Sequence, residues 1–196
     1  MNVMENVINA KDVTYDGYLG KFVYNTANFE LRNRYTEHGT FEVLVYRGRE
    51  INGANIVIPE GITNISYMFE NTSIMTPPAI PESVEIMDYT FKDCASLSVG
   101  AGLPVNLKSC AFCYKNCRSM LYGSDMPDTV TSASYMYDGC TSLYSMGHVS
   151  VNLQYASGMC RNCKNLRMMP DIPETVERQD FIFKGCEALY GTDRMY

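Results

Sequence analysis

A cysteine-centred block that returns every 23 residues constrains this chain more than any other feature. Phe91-Lys92-Asp93-Cys94-Ala95-Ser96-Leu97 reappears as Tyr114-Lys115-Asn116-Cys117-Arg118-Ser119-Met120, then as Tyr137-Asp138-Gly139-Cys140-Thr141-Ser142-Leu143. Two further copies centre on Cys163 and Cys186, and Phe69-Glu70-Asn71-Thr72 opens the series one residue out of step. A fixed period of this length means a solenoid, in which each repeat buries its apolar face only by stacking on its neighbours.

A second marker keeps the same period. Ile58-Pro59, Ile80-Pro81, Leu103-Pro104, Met126-Pro127 and Ile172-Pro173 recur, and Val149-Ser150 fills the missing place. Three residues past each proline position stands Ile62, Val84, Leu107, Val130, Leu153 or Val176. Five residues before the cysteine position come Tyr67, Tyr89, Phe112, Tyr135, Gly158 and Phe181; three before it come Phe69, Phe91, Tyr114, Tyr137, Cys160 and Phe183. Asn71, Asp93, Asn116, Gly139, Asn162 and Gly185 directly precede the cysteine position, a set suited to tight, left-handed turns. After the cysteine, Leu97, Val99, Ala101 and Leu103 alternate with Ser98, Gly100 and Gly102, which predicts a short strand facing inward at the first set. Proline ends that strand, and an irregular or briefly helical return carries the aromatic pair. Cys94, Cys117, Cys140, Cys163 and Cys186 then form a structural ladder of buried, reduced thiols.

These columns resemble the BspA-like leucine-rich repeats, whose units read roughly as aromatic, two residues, cysteine, two residues, leucine, then Ile-Pro and a following valine. The resemblance covers about residues 54–196 in six staggered copies, with tyrosine often replacing phenylalanine and methionine replacing several leucines. It implies a right-handed repeat solenoid with a short parallel β-sheet along one face. It also implies a recognition or adhesion role, often at a cell surface.

Residues 1–53 lack the motif and read as an N-terminal capping module; residues 54–196 are the solenoid. Phe41, Val43 and Val45 alternate with Glu42, Leu44 and Tyr46 as a strand, and Lys21 to Leu31 is a weaker strand candidate, so the cap is β-rich. At the other end the last motif runs out without a polar capping unit. Phe181, Phe183, Leu189 and Tyr190 are therefore expected at a homodimer contact or against another partner.

Composition narrows the function. A hydrophobic fraction of 46% against 19% charge supplies a core, and the net charge of −6 lacks the basic footprint that nucleic acid requires. No run of about 18 apolar residues offers a membrane span. Met1-Asn2-Val3-Met4-Glu5-Asn6 has neither the basic nor the apolar region of a secretory signal, so a cytoplasmic location is expected, or a cell surface if a signal lies upstream. Catalytic signatures are missing: there is no GxSxG, no HExxH, and neither His38 nor His148 is tied to a cysteine by a local motif. Cys110-Ala111-Phe112-Cys113 and Cys160-Arg161-Asn162-Cys163 have zinc-ligand spacing. Their repeat positions place them two rungs apart, roughly 10 Å at about 4.8 Å per strand, too far for one ion. No cofactor and no metal are expected.

What remains is the outward face of the predicted strand. One position after the leucine column lie Leu121, Tyr144, Arg167 and Tyr190; further along lie Met146 and Met169, then Asp125, His148 and Asp171. Tyrosine, arginine and methionine are the types enriched at protein interfaces, so these are the candidate partner-binding residues of a non-enzymatic interaction module. His148 would stand between two carboxylates. A structural or adhesive component of a surface or phage assembly is the alternative, and an inhibitor that blocks a host protein is another.

Overall fold

A computed structural model describes residues 13–16, 21–24, 29–36, 39–58 and 61–190. Four strands come first: β1 (Val13–Asp16) pairs antiparallel with β2 (Lys21–Tyr24), and β3 (Phe29–Thr36) with β4 (Gly39–Tyr46). The strand read from Phe41 to Tyr46 lies within β4, and the weaker candidate divides between β2 and the start of β3. Phe29 and Tyr46 face each other across the second hairpin and are buried, and Tyr46 sits 5.4 Å from Phe69, the first ring of the solenoid's inner column. The Tyr46 N–H donates to the Met68 carbonyl, joining the hairpin to the first rung.

Residues 61–190 stack as rungs, and their regularity lies where the sequence predicts an irregular return. Met87, Tyr89, Phe91 and Asp93 donate their N–H groups to the carbonyls of Ser109, Ala111, Cys113 and Lys115 in the next rung, at 2.8–2.9 Å. The intervening Thr90, Lys92 and Cys94 donate to residues three back, at 3.1–3.2 Å. Alternate amides thus serve the stack and the local turn, and the pattern repeats from Cys110, Ala133 and Ala156. It requires left-handed backbone twice per rung. Tyr67, Tyr89, Phe112, Tyr135 and Phe181 have φ of 56–64°, as do Asn71, Asp93, Asn116 and Asn162 at 57–62°.

A bulky side chain at such a φ costs on the order of 1 kcal/mol. Ring stacking offsets it. Tyr67, Tyr89, Phe112 and Tyr135 stack face to face at 4.6–4.9 Å, and each such pair contributes about 0.5–1.5 kcal/mol. The inner column of Phe69, Phe91, Tyr114 and Tyr137 stacks at 5.3–5.5 Å and is fully buried. Cysteine thiols close each rung: Cys94, Cys117, Cys140, Cys163 and Cys186 donate to carbonyls of the preceding rung at 2.9–3.1 Å. All eight cysteines are buried and unpaired.

The predicted strand after the cysteine is reduced to single bridges, Val99 to Tyr122 to Ser145. Leu97 and Ala101 point inward as expected, but Val99 points out and is 38% exposed. Buried tyrosines explain the interruption. The Ala101 N–H donates to the Tyr114 hydroxyl (2.9 Å) and the Ser124 N–H to the Tyr137 hydroxyl (2.8 Å), so amides that would extend a sheet satisfy side chains instead. A second line of single parallel bridges runs from Asn64 through Ile86, Ser109, Ser132 and Tyr155 to Arg178. The proline marker is a turn: Val84, Leu107 and Val130 donate back to Pro81, Pro104 and Pro127 at 3.0 Å, and Leu153 does the same to Ser150. The last rung ends in α1, the single turn Glu187–Tyr190.

One ionic cluster ties rungs together. The Asp138 carboxylate, almost fully buried, accepts from Arg161 Nε (3.0 Å) and Nη2 (2.8 Å), with Lys115 Nζ at 3.2 Å. Burial pushes its pKa up, but the hydrogen bonds and charges of Arg161 and Lys115 outweigh this and hold it below the usual carboxylate range. A folded-state pKa below the unfolded one gives stability that is present above about pH 4 and lost as pH falls through the folded value. Asp138→Asn is expected to lower stability by about 1–3 kcal/mol at pH 7. The difference from the parent should shrink below pH 3 in urea titrations, and an equal loss at both pH values would contradict it.

Candidate functional site

The exposed face beside the single-bridge strand is held from below by the backbone. Ser98, Leu121, Tyr144 and Arg167 donate their N–H groups to Met75, Ser98, Leu121 and Tyr144 in turn, at 2.9–3.0 Å. Their side chains are thereby carried at one height along successive rungs. Leu121 (47% exposed), Tyr144 (43%) and Arg167 stand outward on this line. Tyr190 does not continue it, because residues 187–190 turn into α1; its side chain lies outside the described residues. Tyr122, which sequence reasoning passed over, is 56% exposed and meets Tyr144 edge-on at 6.4 Å. Strict alternation hid it: Leu121 and Tyr122 are neighbours, and both face solvent because the strand is only one bridge long.

Met146 must be removed from the candidate set. It is 7% exposed, with its Sδ 3.4 Å from Cys160 Sγ. The inner ring column explains the inversion. Its hydroxyl brings Tyr137 against Gly123, where a Cβ would lie 2.7 Å from the oxygen. In the next rung Cys160 replaces the tyrosine, and Met146 replaces the glycine and fills the vacated space. Met169, one rung further, is exposed.

Asp125, His148 and Asp171 all lie on the surface, but the expected histidine between two carboxylates is not formed by them. Asp125 accepts the His148 backbone N–H (2.7 Å), while the ring Nε2 lies 3.4 Å from Asp128 Oδ1. Asp128 is held below the usual range chiefly by the Val151 N–H, then by His148. The C-terminal set divides: Phe181 is exposed, whereas Phe183 and Leu189 are half-buried against the core.

The thiols lie in apolar surroundings. Burial pushes Cys94 up to about 11 and Cys186 up to about 12, and it raises Cys110, Cys113, Cys117 and Cys140 as well. Cys160 is raised chiefly by its hydrogen bond with Cys163, then by burial. Protonated thiols are neither good nucleophiles nor metal ligands. Among the described residues no three His, Cys, Asp or Glu side chains converge to hold a metal ion. No helix among them is long and apolar enough to cross a membrane.

The family model described as the BspA type Leucine rich repeat region matches residues 49–98 and 65–190, in six copies. No curated protein and no solved structure matches the chain at a significant level. Leucine-rich repeats are in general protein-interaction modules, and the family is typically non-enzymatic. With the match spanning most of the chain, the protein belongs to the BspA-type leucine-rich repeat family.

Proposed function

We propose that this protein binds a macromolecular partner, a protein, through the rung face that carries Leu121, Tyr122, Tyr144, Arg167 and Met169. The carrying observation is the exposed apolar and aromatic cluster fixed on successive rungs by 2.9–3.0 Å backbone bonds. Large apolar side chains carried on a hydrogen-bonded stack lose little backbone entropy on binding, which favours recognition over a mere spacer role. Asp125, Asp128, His148 and Asp171 supply a polar, mostly acidic rim. In this reading the β3–β4 hairpin caps the first rung, with Tyr46 continuing the inner ring column, and the coil takes the right-handed sense that the resemblance implies.

Tyr144→Ala is expected to weaken partner binding by about 2 kcal/mol, roughly 30-fold, with the thermal midpoint unchanged. Affinity capture with the parent and with a Leu121→Ser/Tyr144→Ala chain is the direct comparison. A partner retained equally by both would refute the assignment to this face.

A further inference from the structure

The outer ring column runs without a gap from Tyr67 through Tyr89 and Phe112 to Tyr135, with centroids 4.6, 4.6 and 4.9 Å apart and planes within 13°. The next rung has Gly158 in this column, and the rung after it has Phe181. One ring is missing from a stack whose repeat is set by the backbone. Gly158 keeps the left-handed φ of its column, +59°, which glycine adopts without strain. Tyr135 and Phe181 therefore stand two rungs apart, about 9–10 Å at strand spacing, the separation of two rings with a third between them.

Cations answer part of the freed ring surface. The Arg161 guanidinium, held by Asp138, lies 5.1 Å from the Tyr135 centroid, and Lys184 Nζ lies 5.0 Å from that of Phe181. Tyr135 also leans over the bare Gly158 backbone, where a Cβ would run into its Cε1. Phe181 is left 59% exposed. An open cleft of about 460 Å³ lies at this break, lined by Tyr135, Tyr155 and Phe181 together with Ser157, Arg178 and Asp180. Arg178 and Asp180 are exposed, and neither has a side-chain hydrogen bond or ion pair among the described residues.

The geometry points to this cleft as a site for one aromatic side chain of a partner protein, on a segment that carries an acidic and a basic residue beside the ring. The ring stacks on Phe181 in the cleft at the break, the acidic residue faces Arg178, and the basic residue faces Asp180. An aliphatic side chain fills the same space without the ring-on-ring contact that joins Tyr67, Tyr89, Phe112 and Tyr135. This surface is separate from the rung face of Leu121 and Tyr144, so either assignment can fail while the other stands.

The chain has no tryptophan, so the peptide acetyl-Glu-Trp-Lys-amide reports binding by its own fluorescence. We expect a saturable rise in anisotropy with a Kd of about 1 mM, in keeping with one ring and two exposed ion pairs. Phe181→Ala removes an exposed ring and should weaken binding about tenfold or more. Gly158→Phe supplies the missing ring, with Tyr135 moving back off the Gly158 backbone, and should abolish binding; a thermal melt checks that it folds. Acetyl-Glu-Leu-Lys-amide should not compete. The proposal is overturned if Phe181→Ala binds like the parent, if the leucine peptide competes equally, or if no saturation is reached by about 10 mM. A concentration-dependent dimer that Phe181→Ala dissolves would also overturn it, because the occupant would then be a second copy.

Discussion

A chain with tyrosine in place of Cys160 loses on the order of 3 kcal/mol of stability, and Met146→Gly in the same chain returns most of it. One rung earlier, Tyr137 is accommodated because Gly123 leaves room for the hydroxyl and the Ser124 N–H donates to it at 2.8 Å. At Cys160 that space is filled by Met146, whose sulfur lies 3.4 Å from the cysteine's. A ring forced in against the thioether overpacks the core, at about 1–3 kcal/mol or more. Met146→Gly alone empties the space and costs about 2–5 kcal/mol by cavity formation. In the double variant the ring refills the cavity, and the amide of Gly147 stands where that of Ser124 stands for Tyr137. Urea denaturation of the four chains should give a favourable coupling of more than about 1 kcal/mol. Additive losses would show that the two positions do not share one space.

Alkali should unfold this protein through its cysteines. A thiol buried at the Cys94 position titrates at about 11, against roughly 8.5 when exposed in the unfolded chain. The folded pKa is the higher one, so the stabilisation is complete below about pH 8.5 and is lost as pH rises through the folded value. That one thiol accounts for on the order of 3 kcal/mol at about 1.4 kcal/mol per unit. Cys186, at about 12, acts in the same window, and burial raises the Tyr114 and Tyr137 phenols in the same direction. The denaturation midpoint should hold from pH 6 to 8 and fall steeply between about pH 9 and 11. Ellman's reagent should find the thiols slow at pH 8 and fast once urea opens the stack. A midpoint that stays level to pH 11, or thiols that react at once in the native protein, would contradict the buried ladder.

The repeat register was legible because solenoid stacking copies its demands into every rung: cysteine, aromatic and proline columns each recur with one role. The binding face was less so. Alternation along Leu97, Val99, Ala101 and Leu103 predicted a strand, but the amide of Ala101 goes to a tyrosine thirteen residues on, a partner that no local pattern reveals. Met146 was misplaced for a related reason, since its direction is set by the ring that Cys160 lacks. The signal was present in comparing columns rather than reading along them: Gly123 goes with Tyr137, and Met146 with Cys160. The left-handed φ of the outer ring column left one trace, the glycine at position 158.

Both ring columns lapse in the same rung, the outer one at Gly158 and the inner one at Cys160. In a stack that is stable only through nearest-neighbour contacts, a rung with two missing rings is a weak coupling. The rungs before it, braced by Tyr46 and Phe29 at the far end, are expected to unfold as one block. Those after it are held by backbone bonds, the Cys186 thiol, the Thr175 hydroxyl and the packing of Ile182, Phe183 and Leu189 on the core, with no ring stacked across the break. Under load the stack should therefore yield first at this rung, on the side that carries Phe181.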